Sequence, residues 1–88
     1  MSAKEMFEEL CFYEKTNNKT YLIYTMYGKD KYTDENVETI ITFKKKEKLV
    51  RIKKQNKSSA YNLDVQELQA INKQVEELEW NKWIKNLI

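Results

Sequence analysis

The sequence predicts an α+β fold: a small antiparallel β-meander of three to four strands, flanked by a short N-terminal and a long C-terminal helix. The expected order is α-β-β-β-(β)-α, with the helices on one face of the sheet. Three observations carry this expectation. Apolar residues recur at helical spacing near both ends of the chain, and β-branched and aromatic runs fill the middle. Proline is absent and glycine occurs once, at Gly28, so little of the chain reads as linker. With 88 residues there is room for a single compact domain, 1–88, burying roughly 60% of its unfolded surface. A hydrophobic content of 41% is too high for a disordered chain, despite 34% charged residues.

The first helix is expected over residues 3–11. Ser2 and Glu5 have the spacing of a capping box, and Ala3, Met6, Phe7, Leu10 and Cys11 form one helical stripe. Cys11 on that stripe reads as a small core residue rather than a reactive thiol. The polar patch EKTNNK ends the helix. The first strand is the run KTYLIYTMY, apolar on both faces, and Gly28 opens a polar loop running to Asn36. In VETIITFK, Val37, Thr39, Ile41 and Phe43 share a face, which predicts the second strand. A tight Lys45-Lys46-Glu47 connection leads to the third, where Val50 and Ile52 face the core and Arg51 and Lys53 the other side. NKSS is a turn, followed by a short fourth strand from Ser59 to Leu63. Asp64 then caps the long helix, with Glu67 at the third helical position and Leu63 placed to staple onto Leu68. Leu68, Ile71, Val75 and Leu78 form its stripe. The phase breaks after Leu78, and Asn81 is placed to cap a fresh short helix.

The residue inventory excludes most chemistry. There is no histidine and one cysteine, so the common nucleophile–base dyads, disulfides and thiolate zinc cages have no parts. One glycine does not make a phosphate-cradling loop. No Asp or Glu has Lys two residues on, as many metal-dependent nucleases require. Asp30, Asp34 and Glu35 lack the glycine and terminal Glu of a calcium loop, and read as a solvated acidic loop. Glu76, Glu77 and Glu79 read as the wet side of a helix. No enzyme activity, cofactor or metal is expected. The N-terminus has no signal-peptide run, and nowhere do eighteen apolar residues follow one another. A soluble, cytoplasmic protein with no membrane contact is expected, which leaves the sequons at Asn18 and Asn56 as chance.

The brackets SAKEMFEEL and LDVQELQAINKQVEELEW resemble a loose group of small proteins encoded by phages and prophages of Gram-positive bacteria. That group shares a helix ending near EEL, Tyr-rich strands and a closing ELQAINK-type helix ending in Trp. The resemblance implies the fold, the cytoplasm of a host cell as location, and no catalytic residues. Members tend to carry Gly before the Trp; this chain has Glu79 there and runs on past Trp80 with NKWIKNLI. Small phage proteins without catalytic parts act by occupying a host protein's surface, for example as anti-CRISPR or other anti-defence inhibitors.

Two binding modes follow. The first uses the tail, where Trp80, Trp83, Ile84 and Leu87, with Ile88, are an apolar load that either closes the core or, where Trp83 and Leu87 stay outside it, anchors a host protein or a second copy in a homodimer. The second uses charge. Residues 44–57 hold eight Lys or Arg against one Glu, a local +7, so the rest of the chain carries −5. Lys44, Lys45, Lys46, Lys48, Arg51 and Lys53 are the residues there that can meet nucleic acid or an acidic partner. Tyr21, Tyr24, Tyr27 and Tyr61 are the tyrosines that can stack bases.

Overall fold

The computed structural model of the chain describes residues 1–29, 36–55 and 63–80. Among them are two helices and a four-stranded antiparallel sheet, in the order α1 (Ala3–Glu9), β1 (Tyr13–Asn17), β2 (Tyr21–Lys29), β3 (Asn36–Lys44), β4 (Leu49–Gln55) and α2 (Val65–Glu77). The α+β meander expected from the sequence is what the chain forms. Its strands lie side by side in chain order, β1-β2-β3-β4. Backbone contacts group the chain into two compact units, Cys11–Asn62 and a second that joins Met1–Leu10 with Leu63–Ile88.

The sheet unit follows its alternation. Leu22, Tyr24 and Met26 on β2 pair across to Phe43, Ile41 and Thr39 on β3, and Phe43 and Ile41 pair on to Val50 and Ile52 on β4. This is the core face: Leu22, Tyr24, Val37, Thr39, Ile41 and Phe43 are all buried, while Val50 and Ile52 on the edge strand are half-buried. Tyr24 meets Phe43 edge-to-face, ring centres 6.3 Å apart at 86°, the arrangement aromatic quadrupoles favour. Tyr24 is therefore a core residue, not a residue of the exposed face.

Two local expectations in the sheet unit are revised, and a third lies largely outside the described residues. The stretch read as a polar connection contains β1, which alternates exposed and half-buried residues and carries a register shift between Glu14 and Thr16. An edge strand needs neighbours on one side only, so it forms without the apolar signature of β2 and β3, and its bulge discourages pairing with another chain. Gly28 and Asn36, assigned to a loop, are strand residues paired with Val37 and Lys29. The fourth strand expected at Ser59–Leu63 falls largely outside the described residues. The turns are secured locally. Asn18 Oδ1 accepts from the amides of Thr20 and Tyr21 at 2.9 and 2.8 Å, an Asx-type turn between β1 and β2. Residues 45–48 turn between β3 and β4 with Lys48 in the left-handed region, φ 57°.

In the helical unit both capping boxes are made. Ser2 Oγ accepts from the Glu5 amide at 3.1 Å and Glu5 Oε1 from the Ser2 amide at 2.9 Å. At α2, Asp64 Oδ1 accepts from the Gln66 amide at 2.8 Å and Glu67 Oε1 from the Asp64 amide at 3.1 Å. The Ser2 contacts hold the Glu5 carboxyl below its usual value. α1 is shorter than expected: Leu10 caps it, and Cys11 is exposed with φ 69° rather than buried on the stripe. Reversal of the backbone after the cap swings its side chain off the helical stripe.

α2 buries Glu67, Ala70, Ile71 and Gln74; of the expected stripe Ile71 is buried, Val75 and Leu78 are half-buried, and Leu68, like Leu63, is exposed. The helix turns its polar Glu67 and Gln74 inward beside the fully buried Ala70. α2 ends in a Schellman motif, with the Trp80 amide donating to the Val75 carbonyl at 3.2 Å and the Glu79 amide to the Glu76 carbonyl at 3.0 Å. The left-handed position that such a motif reserves for glycine is occupied by Glu79, φ 62°. The Glu77 carboxylate has a structural use: its Oε2 accepts from the Ala3 amide, in the first turn of α1, at 2.7 Å. The C-terminal end of α2 thereby supplies an anion to the N-terminal dipole of α1.

Candidate functional site

Side chains opposite the core face line up in four cross-strand rows. Tyr27 pairs with Glu38; Tyr13, Thr25, Ile40 and Lys53 make the next row; Thr16, Ile23, Thr42 and Arg51 the third; Tyr21, Lys44 and Leu49 the last. Alternation places them there: each is two residues from the next along its strand, except where the β1 bulge resets the phase. Ile23, Ile40 and Thr42 are half-buried in the centre, and Tyr13, Tyr21, Tyr27 and Leu49 stand exposed around them, Tyr27 at 70%. These apolar and aromatic side chains share one face of the sheet rather than standing scattered singly over the surface.

Charge on the face is ordered. Lys44, Arg51 and Lys53 lie on β3 and β4, and among the described residues none of their side chains has a hydrogen-bond or ion-pair partner. The one acid in the rows, Glu38, sits at the opposite end. Its Oε2 accepts from Thr25 Oγ1 at 3.4 Å, and Tyr27 also donates to it, which together with the carboxylate's charge raises the phenol above its ordinary value. Thr25 is fully buried between its neighbours Tyr13 and Ile40. The face is thus polarised along the strands, from Glu38 at one end to the basic 45–48 turn at the other.

The basic run divides between several surroundings. Lys44, Arg51 and Lys53 belong to the face. Lys46 and Lys48 are exposed in the turn. Lys45 is tied down, its Nζ donating to Asn17 Oδ1 at 2.9 Å and its amide to the Thr20 carbonyl at 2.9 Å. Tyr21 and Tyr27 are on the exposed face as expected, Tyr24 is not, and Tyr61 lies outside the described residues. Tyr13 joins the face from the overlooked strand. Of the tail residues, Trp80 is half-buried, its amide in the α2 cap. Trp83, Ile84 and Leu87 lie outside the described residues.

Other features offer less. A cavity of ≈ 130 Å³ in the helical unit is lined by Met1, Met6, Glu9, Leu10, Gln66 and Gln69, below the roughly 300 Å³ at which small-molecule sites begin. Among the described residues no group of three or more metal-ligating side chains comes together, and no helix is long and apolar enough to cross a membrane. No protein-family model, curated protein or solved structure matches the chain at a significant level.

Proposed function

We propose that this chain is a non-enzymatic phage accessory protein that works by binding a protein of the host cell, and that the exposed face of the sheet is its contact surface. The observation that carries the reading is the face itself: Ile23, Ile40, Leu49 and three tyrosines on the solvent side of a sheet whose other side already forms the core. Tyrosine and arginine are among the side chains on which protein interfaces concentrate their energy. The phage assignment, and with it an anti-defence role such as inhibition of a CRISPR effector, rests on the resemblance of the two helical brackets.

Nucleic-acid binding is the second reading, favoured by the unpaired Arg51 and Lys53 on the same face as Tyr13 and Tyr27. Spacing weighs against it. Tyr21 and Tyr27 are six residues apart on β2, about 20 Å at ~3.3 Å per residue, some six steps of a stacked strand at ~3.4 Å each. Tyr27, moreover, is engaged with a carboxylate that repels phosphate.

A pull-down from nuclease-treated host lysate tests the proposal, comparing wild type, Tyr21→Ala/Leu49→Ser and Trp83→Ala, each checked for native circular dichroism. A protein retained by wild type and by Trp83→Ala but lost by the double variant is the expected result. Loss with Trp83→Ala alone moves the contact to the tail. Equal recovery by all three removes the face as a contact.

A further inference from the structure

We infer, building on the proposed role of the sheet face, that the partner presents an acidic protein surface. Its carboxylates would meet Lys44, Arg51 and Lys53, while its apolar centre covers Ile23 and Ile40. The argument is one of charge complementarity. Arg51 and Lys53 are next-but-one on an edge strand, so their side chains emerge on one side about 7 Å apart at ~3.3 Å rise per residue. Lys44 stands one strand over and one row along from Arg51, directly beside Leu49. The side chains of half-buried Lys44 and exposed Arg51 and Lys53 are unpartnered among the described residues and gathered at one side of an apolar patch.

A second copy of the chain fits this surface poorly. Three cations against the single Glu38 give each face a net charge of +2, so two faces brought together repel, and Glu38 is already committed to Thr25 and Tyr27. An acidic partner gains on both counts, because its approach is steered by the field and the guanidinium of Arg51 offers a bidentate fork to a carboxylate. Glu38 at the far end repels acid and so fixes which way round the partner docks.

The experiment uses the full chain and the host protein captured by it, identified by mass spectrometry and purified. Affinity is measured for wild type, Arg51→Gln/Lys53→Gln and Arg51→Glu/Lys53→Glu at 0.05, 0.15 and 0.5 M NaCl. Both variants alter only exposed side chains of an edge strand, and circular dichroism confirms the fold. The expected result is graded weakening, with charge reversal at least ten-fold weaker than wild type at 0.05 M salt and the gap closing at 0.5 M as screening shortens the field. Replacing a contacting Asp or Glu of the partner by Lys then restores binding to the reversed variant. If reversal leaves affinity unchanged while Tyr21→Ala/Leu49→Ser abolishes it, the acidic partner is wrong and the face remains a protein contact. If wild type retains no host protein but binds a fluorescent (dT)20 oligonucleotide, both the acidic protein surface and the protein-binding role fall.

Discussion

Replacing Glu79 by glycine is expected to stabilise the helical unit by about 1 kcal/mol. Glu79 follows the cap of α2 with φ 62°, held there by the two amide bonds of the Schellman motif, to Glu76 and Val75. An L side chain in that region costs roughly 1–2 kcal/mol through the clash of its Cβ with the following carbonyl. Glycine avoids the clash, but returns roughly 0.5–1 kcal/mol as extra freedom in the unfolded chain. The carboxylate also lies beside the negative end of the α2 dipole, whose last turn holds no basic residue. Removing it adds about 0.3 kcal/mol at low salt. Glu79→Ala separates the two effects, since it deletes the charge and keeps the strained backbone. Thermal unfolding followed at 222 nm is the assay: for a chain of 88 residues, 1 kcal/mol corresponds to about 4–8 °C in Tm. Glycine and alanine variants that melt at the same temperature would refute the backbone argument, whatever their shift from wild type.

Three further outcomes follow from other groups. Thr39 is fully buried on the core face with an Oγ1 that lacks a hydrogen-bond partner. Thr39→Val keeps the shape, removes the orphaned hydroxyl, and should raise stability by about 1 kcal/mol in urea unfolding. Glu77→Ala removes the acceptor of the Ala3 amide and should cost about 1 kcal/mol, while Glu77→Gln, which keeps an acceptor, should cost less than half as much by the same assay. Tyr27 should titrate above the ordinary phenol range, because Glu38 favours its neutral form. Its contribution to stability is present below the unfolded value near 10 and is lost as pH rises through the higher folded one. Absorbance at 295 nm should show one phenol shifted back down in Glu38→Gln.

How much of this was legible in the sequence depended on whether a segment declares itself through its own side chains. β2 and β3 did, because each buries one face in the core and its apolar, β-branched and aromatic run declares the strand. The two capping boxes did as well, being local rules satisfied within four residues. β1 did not: its ladder comes from pairing with β2, and Tyr13-Glu14-Lys15-Thr16-Asn17 has nothing apolar to alternate except a tyrosine. The face of α2 was misplaced by part of a turn, since Leu68 suggests the core by hydrophobicity while Ala70 wins it by size. The same limits shaped the candidate face. Arg51 and Lys53 were assigned to it from strand parity, and Tyr21 and Tyr27 only as tyrosines able to stack bases. Tyr13 was missed with its strand, Tyr24 was given to the wrong side, and Glu38, which orders the charge, carried no signal at all because it is one residue in an alternating run.

The hydrogen bond between Ala3 and Glu77 joins positions 74 apart in the chain. A seven-residue helix is too short to persist alone in water, so α1 waits for α2, the last described element to be synthesised. The meander between them needs only neighbouring segments and can assemble as it leaves the ribosome. Among the described elements the order of synthesis and the order of consolidation are therefore opposed: the first of them made is among the last to be secured. During that interval its Phe7 and Ala3, buried in the finished protein, have no partner helix.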